Sequence, residues 1–381
     1  MKPLRPRGFR RVVPYGLITL LIVGATTGVV LTNTAGTTTT SSSTTTSTTT
    51  TTTPPERPQP GWTVASSSSR GVMVDYRNVV VGAVTFRALR LHARTTLLRW
   101  HVGSIDPNLS SRAPIDAGPA IDWASEGLAG VVALFNGGFK QSAAAGGAVV
   151  DGLRLVPLTR GRMTIGIDTG GHWAMGLWGS TTFPPKGFHP VSYRQNLGPL
   201  VLNGVLTPSA APALWREWGD PLGGNPLEPR TGIGVDRRGN LIYVATMGRV
   251  LQNQLGQALI SAGAVTAMQL DINPYWPILG ASLHPVHANG GLFPVQLPLS
   301  EHSPTIYEGG WLRDFFVAMA EPNRWACNWA SRGLSGPPGT VHPQPLFLVG
   351  KACRTTISTT TTSTTTVTST TSSTTTTQAK S

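Results

Sequence analysis

One aspartate stands where a catalytic carboxylate is expected. Asp271 directly follows the apolar run Val265–Leu270, which has the length and composition of a buried strand, and Asn273 and Pro274 come after it. A carboxylate at the C-terminal end of a buried strand is a common position for a general base or a nucleophile. The alternative is a structural role in which the aspartate only caps the turn before Pro274.

An Asn-Gly-Gly turn follows another predicted strand. The apolar run Gly130–Phe135 leads into Asn136, Gly137 and Gly138. Glycine adopts positive φ readily and lets a ligand approach the backbone, and an asparagine amide both donates and accepts hydrogen bonds. The segment predicts a ligand-binding turn, with an ordinary tight turn as the alternative.

Two arginines precede strands in the same half of the chain. Arg230 projects from the entrance of a predicted hairpin formed by residues 230–236 and 241–246, and Arg313 comes just before the apolar run Phe315–Met319. A guanidinium binds phosphate in a bidentate geometry that an ammonium cannot copy. Both arginines are therefore predicted partners of an anionic substrate.

Common catalytic motifs are absent from the sequence. It contains no GxSxG elbow, P-loop, HExxH or CxxC pattern, which leaves α/β-hydrolases, nucleoside triphosphatases and common zinc hydrolases without support. His284 and His287 are spaced like a metal pair, but Pro285 breaks a helical i, i+3 arrangement. We predict no cofactor and no metal, because Asp271 and Asn273 offer oxygen ligands without a visible ligand set.

Short apolar runs between Gly, Pro, Asn and Asp signals dominate the chain after residue 61. Few stretches have a helical pattern, and the fold class is predicted to be α+β: a mixed, strand-rich sheet with a few short helices, preceded by one transmembrane helix. The predicted helices are residues 119–126, 210–218 and 253–262. The predicted strands are residues 84–91, 96–102, 131–135, 163–167, 173–178, 199–202, 241–246, 265–270 and 315–319.

These segments, in this order, resemble the phosphodiester glycosidase family over residues 85–320. The resemblance implies a hydrolase that cleaves the bond between a sugar and a phosphodiester. Its five matching pieces are the NGGFF-type turn Asn136–Lys140, the strand and turn Gly198–Gly204, the RTAIG-type hairpin Arg230–Gly234, the strand end Gln269–Asn273 and the late Arg313.

The sequence departs from the family pattern at two places. Residues 272–277 replace the glycines and the Ser or Thr that normally follow Asp271, and Lys140 stands where the family has a second Phe. The first of these segments lines the pocket in the family. Its replacement bears on substrate specificity and on activity itself.

The resemblance and the residue types together assign roles. Cleaving a sugar–phosphate bond passes through an oxocarbenium-like state, which a carboxylate stabilises, traps, or serves by activating water. A departing phosphate needs little protonation, so one carboxylate can suffice. The predicted catalytic residues are Asp271, Arg230 and Asn136, and the predicted substrate-binding residues are Gly137, Gly138, Thr231, Asn273, Arg313 and Trp276.

A non-catalytic cell-wall carbohydrate-binding module on a membrane anchor is the alternative function. Trp215, Trp218, Tyr275 and Trp276 lie near the predicted pocket segments, where aromatic faces could stack on sugar rings. Core and rim packing is the commoner fate of tryptophan. The altered loop after Asp271 favours the binding module, whereas Asp271, Arg230 and Asn136 together favour the enzyme.

The N-terminal segment predicts a membrane anchor. Residues 1–11 form a basic arm, and residues 12–31 contain no charge and are long enough to span a bilayer. Because the basic residues lie only on the N-terminal side, the arm is predicted to stay in the cytoplasm and the rest to be exported. A cleaved signal peptide, which would yield a secreted protein, is the alternative.

Two Thr- and Ser-rich tracts, within residues 32–61 and 355–381, bracket the predicted folded domain 62–354. Such tracts lack the apolar surface needed to fold and are expected to stay extended, either as plain linkers or as O-glycosylated stalks. Cys327 and Cys353 are the only cysteines, and in an oxidising compartment they are predicted to form one disulfide.

The net charge of +13 does not indicate a nucleic-acid partner. Part of the excess lies in the basic arm, and residues 62–354 contain 23 Lys and Arg against 16 Asp and Glu, a net of +7. That scattered charge suits a phosphate-containing glycan or cell-wall polymer outside the membrane.

Overall fold

The computed structural model describes residues 57–103, 105–107, 131–143, 145–282, 293–309 and 311–320. The chain divides into two units, residues 1–52 and 53–381, and every described residue belongs to the second. Among them, no helix is long and apolar enough to cross a membrane. Several predictions lie outside the described residues: the basic arm, the apolar segment 12–31, the helix 119–126, the histidine pair, both cysteines and the tail 355–381.

Strands are the main regular element of the described chain, and every pairing between them is antiparallel. The strands are β1 (Thr63–Ser68), β2 (Gly71–Val81), β3 (Val84–Leu91), β4 (Thr96–His101), β5 (Val131–Asn136), β6 (Ala148–Val150), β7 (Leu153–Val156), β8 (Met163–Asp168), β9 (Trp173–Leu177), β10 (Pro190–Gln195), β11 (Val201–Leu202), β12 (Val205–Leu206), β13 (Glu228–Val235), β14 (Leu241–Val250), β15 (Thr266–Ile272), β16 (Leu279–Ala281), β17 (Val295–Gln296) and β18 (Phe315–Ala320).

The strands form three sheets. The first has eight strands in the order β1-β2-β3-β14-β13-β15-β11-β12. The second has the order β7-β6-β10-β8-β9, and the third has the order β17-β16-β5-β18-β4. The predicted hairpin 230–246 is therefore the β13–β14 pair at the middle of the first sheet.

One apolar core joins all three sheets. Its fully buried members include Leu89 and Leu270 from the first sheet, Ile165 from the second, and Phe135 and Phe316 from the third. Each such side chain contributes roughly 1.5–3 kcal/mol through removal from water. The sheets therefore hold one another in place, and with them the strand ends that carry the polar residues.

Helix α1 (Gln252–Ala262) packs on the first sheet and confirms the predicted helix 253–262. It ends at Gly263, whose φ of 107° is the left-handed conformation that glycine adopts without strain. Its apolar buried side chains repeat at helical spacing: Leu255, Ala258, Leu259 and Ala262.

The predicted helix 210–218 is instead two 3₁₀ stretches, Pro208–Ala210 and Pro212–Trp218. Each stretch begins at a proline, which lacks the N–H that a continuous α-helix would need. The predicted strand 199–202 is reduced to the two residues of β11. The strand-rich architecture with few short helices is consistent with the predicted α+β class.

Candidate active site

The Asn-Gly-Gly turn, Asp271 and Arg313 belong to different segments of the sequence, and they come together at the ends of their strands. Asn136 ends β5 and lies opposite Phe315 of β18, which Arg313 closely precedes. The Asp271 amide donates to the Gly137 carbonyl at 3.2 Å, which joins the end of β15 in the first sheet to the end of β5 in the third. The polar residues at these strand ends therefore share one site.

Asp271 and Arg313 form a buried ion pair. Arg313 Nη2 lies 2.6 Å from Asp271 Oδ2, and it also donates to the Gly138 carbonyl at 2.8 Å. Arg313 Nε lies 3.4 Å from Oδ2 of Asp106, which is buried as well. One guanidinium is thus shared by two carboxylates, and its position is fixed by both.

The Asp271 carboxyl titrates near neutral pH. Burial raises its pKa to about 7; Arg313 opposes the rise, and the neighbouring Asp314 adds to it. The Ile272 N–H donates to Asp271 Oδ1 at 3.1 Å and favours the charged form. A carboxyl that changes charge near neutrality suits proton transfer at physiological pH.

An open cavity of about 450 Å³ reaches this carboxyl and Arg313. Trp276 forms part of its wall, with the Arg313 guanidinium 4.8 Å and the Lys140 ammonium 5.8 Å from the ring centroid. Lys140 is exposed. The cavity therefore combines a buried ion pair, an accessible cation and an aromatic face.

Asn273 shapes the loop that follows Asp271. Its φ of 80° lies in the left-handed region, which asparagine tolerates better than most residues. Its side-chain oxygen accepts the Leu222 N–H at 2.9 Å, and its backbone N–H donates to the Pro229 carbonyl at 3.1 Å. Asparagine thus supplies here a left-handed backbone conformation and two hydrogen bonds that fix the loop.

The two predicted oxygen donors, Asp271 and Asn273, are both engaged with protein partners. Asp271 pairs with Arg313, and the Asn273 side chain binds a backbone amide. Within the described part of the chain, no three His, Cys, Asp or Glu side chains are grouped so that they could hold a metal ion.

A second buried ion pair, between Arg194 and Asp314, supports the turn that carries Gly137 and Gly138. Arg194 Nε lies 2.7 Å from Asp314 Oδ2, and both side chains are fully buried. The same oxygen accepts Trp100 Nε1 at 2.9 Å and the Gly138 N–H at 3.2 Å. Because these bonds satisfy a charge removed from water, they fix the turn that carries Gly137 and Gly138.

Asn136 and Thr231 position the backbone around Asp271 and are not free for a ligand. The Asn136 amide donates to Thr231 Oγ1 at 3.0 Å, and Thr231 Oγ1 donates to the Asp271 carbonyl at 2.8 Å. The Asn136 oxygen accepts the Tyr243 hydroxyl at 2.6 Å and the Ile278 N–H at 3.3 Å. This placement differs from the predicted one, in which Asn136 was a catalytic residue in a ligand-binding turn.

Arg230 also lies elsewhere than predicted. It is fully buried, so it does not project from the hairpin entrance. Burial, partly opposed by Glu228, lowers its pKa to about 10. Its guanidinium donates to four oxygens within the protein: the carbonyls of Trp218, Pro226 and Val250 and the side chain of Gln269. The structure therefore assigns Arg230 to the support of the fold, and Arg313 and Lys140 are the cations at the cavity.

A family model described as phosphodiester glycosidase matches residues 129–271. This part of the chain is similar to the phosphodiester glycosidase family. The matched stretch begins just before β5 and ends at Asp271, so it includes the Asn-Gly-Gly turn, Lys140 and the carboxyl at the cavity. Arg313 lies beyond the matched stretch, two residues before β18, and completes the ion pair.

Solved structures give more distant likenesses to this chain. A hypothetical protein from Synechocystis is 12% identical, with a TM-score of 0.43 and 66% of this chain covered; the chain spans only 63% of that protein. The zebrafish N-acetylglucosamine-1-phosphodiester α-N-acetylglucosaminidase catalytic domain, auto-inhibited by its pro-peptide, is 13% identical, with a TM-score of 0.37. The alignment covers 69% of this chain and 88% of the zebrafish domain. No curated protein matches the chain.

Several residues of the candidate site escape sequence reasoning. Asp106, Arg194 and Asp314 belong to no motif that the sequence shows, although Arg194 lies only four residues before the segment Gly198–Gly204. A signal exists for Arg194, because a charge inside a strand needs a buried partner. The partner, Asp314, is 120 residues away and cannot be predicted without the fold.

Proposed function

We propose that this protein hydrolyses the bond between a sugar and a phosphodiester in a glycan outside the cytoplasm. The observation that carries the proposal is the buried carboxyl of Asp271, held by Arg313 at the edge of an open cavity in a chain whose residues 129–271 match the phosphodiester glycosidase family. That similarity supports hydrolysis of phosphodiester-linked sugars. The cavity supplies the residues with which this chain would perform it.

In the proposed reaction the bond between the sugar C1 and the phosphate oxygen breaks. Positive charge develops on the sugar ring, and the ionised Asp271 carboxylate faces it. Water then supplies a hydroxyl to C1, either after Asp271 has trapped the sugar or directly with Asp271 accepting the proton. The products are the free sugar and a phosphomonoester, and the bonding electrons leave with the phosphate oxygen.

The cations at the cavity suit the phosphate. Lys140 is exposed, and both Lys140 and Arg313 lie close to the Trp276 ring, 5.8 Å and 4.8 Å from its centroid, so both charges are near the cavity beside it. A departing phosphate is a weak base and needs charge stabilisation more than a proton. Lys140 and Arg313 are therefore the proposed phosphate-binding residues, in place of Arg230.

The aromatic residues after Asp271 suit the sugar. Tyr275 is 51% exposed and packs edge-on against Trp276, with 6.4 Å between ring centroids. Neighbouring aromatic faces at a cavity mouth offer an apolar surface for the C–H face of a pyranose ring. We propose that this loop selects the sugar, in place of the glycine-rich loop of the family.

The proposed location follows from the sequence. The uncharged segment 12–31 behind a basic arm supports a membrane anchor, and the Thr- and Ser-rich tract after it supports a spacer. A domain held outside the membrane meets phosphate-containing wall polymer first. The net charge of +7 on residues 62–354 favours such an anionic substrate.

A non-catalytic glycan-binding module is the second candidate function. The exposed Tyr275 and its contact with Trp276 favour it, because binding modules use aromatic platforms without a catalytic group. The buried ion pair of Asp271 and Arg313 favours the enzyme. A module that binds glycan only through its aromatic side chains does not need a carboxyl that is buried away from water.

A hydrolysis assay with the purified domain separates the two functions. The substrates are methyl phosphodiesters of glucose 1-phosphate, galactose 1-phosphate and N-acetylglucosamine 1-phosphate, with release of reducing sugar as the readout. We expect at least one to be hydrolysed, and Asp271→Asn to reduce kcat by about a thousandfold or more while the fold is retained.

The matched control is Asp220→Asn, which removes an exposed carboxylate that lines the same cavity outside the ion pair. We expect it to lower kcat far less than Asp271→Asn does. Wild-type protein that binds isolated wall polymer but releases no sugar from any substrate would establish the binding module instead.

A further inference from the structure

A separate cavity, of about 740 Å³, lies among residues that the proposed reaction does not use. The residues that line it define the arginine groove: Arg57, Pro58, Gln59, Pro60, Arg94, Arg238 and Asn240. None of them lines the cavity that reaches Asp271. The volume is within the range of cavities that hold drug-sized ligands, so the groove has room for more than one phosphate group.

Two turns that carry arginines are fixed to each other at the arginine groove. Arg94 lies in the turn between β3 and β4, and Arg238 lies in the turn between β13 and β14. Asn240 joins these turns, because its buried side-chain oxygen accepts the Ala93 N–H at 3.1 Å. The spacing of the two turns is therefore set by the fold before any ligand binds.

Asp236 holds the second of these turns in one conformation. Its Oδ1 accepts the N–H groups of Arg238 at 2.8 Å and Asn240 at 2.9 Å, and its Oδ2 accepts the Asn240 side-chain amide at 2.9 Å. This carboxylate offsets part of the positive charge nearby, but it does not line the groove. Among the described residues, the lining itself has three arginines and no carboxylate.

The side chains of the arginine groove are hydrogen-bond donors more than acceptors. Arg57, Arg94 and Arg238 are exposed, so a ligand can reach their guanidinium groups. The Gln59 side-chain oxygen accepts Arg90 Nη1 at 2.8 Å, which leaves the amide N–H groups of Gln59 as donors. Guanidinium groups bind phosphate oxygens in a bidentate geometry. The lining therefore suits an anion that carries several phosphate oxygens.

The arginine groove lies too far from Asp271 for both to contact one phosphate group. Thr231 Oγ1 donates to the Asp271 carbonyl, and Asp236 begins the turn at the groove. The two residues are five positions apart along β13 and its end, which at about 3.4 Å per residue corresponds to about 17 Å. The groove is therefore a site of its own, at the opposite end of β13.

We infer that the arginine groove is a non-catalytic binding site for a linear polyanion with phosphate groups spaced along its chain. A single phosphate can engage only part of the lining, whereas a chain can reach arginines from all three segments. The site goes beyond the proposed function, because binding there requires neither Asp271 nor the cleavage of a bond. It would hold a phosphate polymer against the protein through charge, whichever sugar the polymer carries.

Calorimetric titration of the full chain in a non-ionic detergent tests this site. The probes are short-chain inorganic polyphosphate and glycerol 3-phosphate, which carries one phosphate and resembles a lipid headgroup. We expect polyphosphate to bind about tenfold more tightly or better, and Arg94→Gln and Arg238→Gln each to raise its Kd about threefold to tenfold. The basic arm is the same in every protein compared, so its contribution is common to all.

Two arginines outside the arginine groove provide matched controls. Arg237 is the exposed neighbour of Arg238 on the same turn, and Arg154 is exposed on β7 of the second sheet. We expect Arg237→Gln and Arg154→Gln to change the Kd for polyphosphate less than about twofold, as is usual for exposed charges. Equal weakening by Arg237→Gln and Arg238→Gln would indicate attraction by net charge alone and would overturn the site.

The arginine groove can fail separately from the proposed hydrolysis, because the titration measures binding without cleavage. The methyl diesters are too short to reach from Asp271 to the groove, so Arg94→Gln should leave their kcat and KM unchanged. Binding of glycerol 3-phosphate as tight as that of polyphosphate would show a single-phosphate site, such as one for a lipid headgroup. That result, or no binding of polyphosphate, would overturn the polyanion site and leave the proposed hydrolysis unaffected.

Discussion

Asp271 keeps its proton to an unusually high pH because it is buried, and the proposed reaction needs that proton to be absent. The two statements are compatible because Arg313 holds the charged form within reach of neutral pH. A carboxylate with little hydration is also more reactive toward a developing positive charge than one in water. Asp271 is thus a weaker acid than a hydrated aspartate, and its carboxylate, once ionised, is more reactive toward a developing positive charge.

The pH dependence of kcat/KM tests this state of Asp271. Because only the ionised carboxyl acts in the proposed reaction, kcat/KM should rise about tenfold per pH unit on the acid side and level off above a pH of about 7. Arg313→Gln removes the charge that lowers the pKa, so the rise should move to higher pH as activity falls. A profile that declines with pH through neutrality would show that the protonated carboxyl is the active form.

The residue types at the site could be predicted, but not all of their positions. Asp271 and Arg313 lie at strand ends, where the apolar pattern breaks off and a polar side chain meets solvent or a ligand. The same criterion also placed Arg230 at a strand end, at the entrance of the predicted hairpin. Register shifts occur on both sides of it, between Glu228 and Arg230 on one neighbour and between Arg230 and Gly232 on the other. Such bulges change which face a side chain occupies, and no sequence pattern reports them.

At the scale of elements, the site depends on how closely β5 and β18 approach each other. Gly137 follows β5, and its N–H donates to the Asp314 carbonyl at 2.8 Å. A Cβ at position 137 would lie 2.3 Å from Asp314 Oδ2 and 2.5 Å from its carbonyl oxygen. Only glycine leaves enough space at position 137, and the absence of a side chain there allows Asp314 to keep its ion pair with Arg194.

We expect Gly137→Ala to lower the free energy of unfolding by about 2 kcal/mol or more, because the methyl group displaces a buried carboxylate and nearby backbone. Urea unfolding followed by tryptophan fluorescence measures the change. Gly198→Ala is the matched control, since a Cβ there meets nothing within 4 Å. Equal stability of the two variants would contradict the tight packing at position 137.

Element boundaries show where sequence patterns are informative. Apolar runs located β3, β4, β5, β8, β14, β15 and β18, whose residues are buried on both faces or nearly so. The same criterion missed β1 and β2, because they mix serine, aspartate and arginine with short apolar pairs. In β2 the charged Asp75 is buried through its pairing with Arg90 of β3. That pairing is a tertiary contact, invisible to a count of apolar residues.

At the scale of the whole molecule, half-buried carboxyls outside the active site also set how stability depends on pH. Burial raises the pKa of Asp151 to about 7, against the opposing effects of Arg99 and a hydrogen bond from Ser192. In the unfolded chain this group ionises near pH 4. Between those values the folded protein holds a proton that the unfolded chain has lost, so stability falls as pH rises.

Asp151→Asn should therefore be more stable than the wild type at pH 8 and nearly equal to it at pH 4, as thermal unfolding across that pH range would show. Asp168→Asn is the control of opposite sign. Burial opposes ionisation of Asp168 too, but hydrogen bonds from His172 and Gly170 lower its pKa overall. Its replacement should cost stability above pH 4 and little below. The same pH response in both variants would contradict the assignment for Asp151.

Sheet order is the part of the architecture that no local pattern predicts. Leu91 of β3 lies opposite Leu241 of β14, and Trp100 of β4 opposite Phe316 of β18. Contacts over such separations depend on the apolar surface that all three sheets bury together, not on turns or strand propensity. The α+β class could be predicted from composition and pattern; the three-sheet arrangement that brings Asp271 to Arg313 could not.

β18 is the last described strand of the chain, and it lies between β4 and β5 in the third sheet. Among the described strands β4 pairs only with β18 in that sheet, so it has no partner from them until residues 315–320 have been synthesised. Arg313 arrives with the same segment, and it is the residue that holds the Asp271 carboxyl. A nascent chain on the ribosome therefore carries the aspartate for some forty residues before Arg313 is added. The order of synthesis therefore prevents the Asp271–Arg313 ion pair from forming until β18 is available.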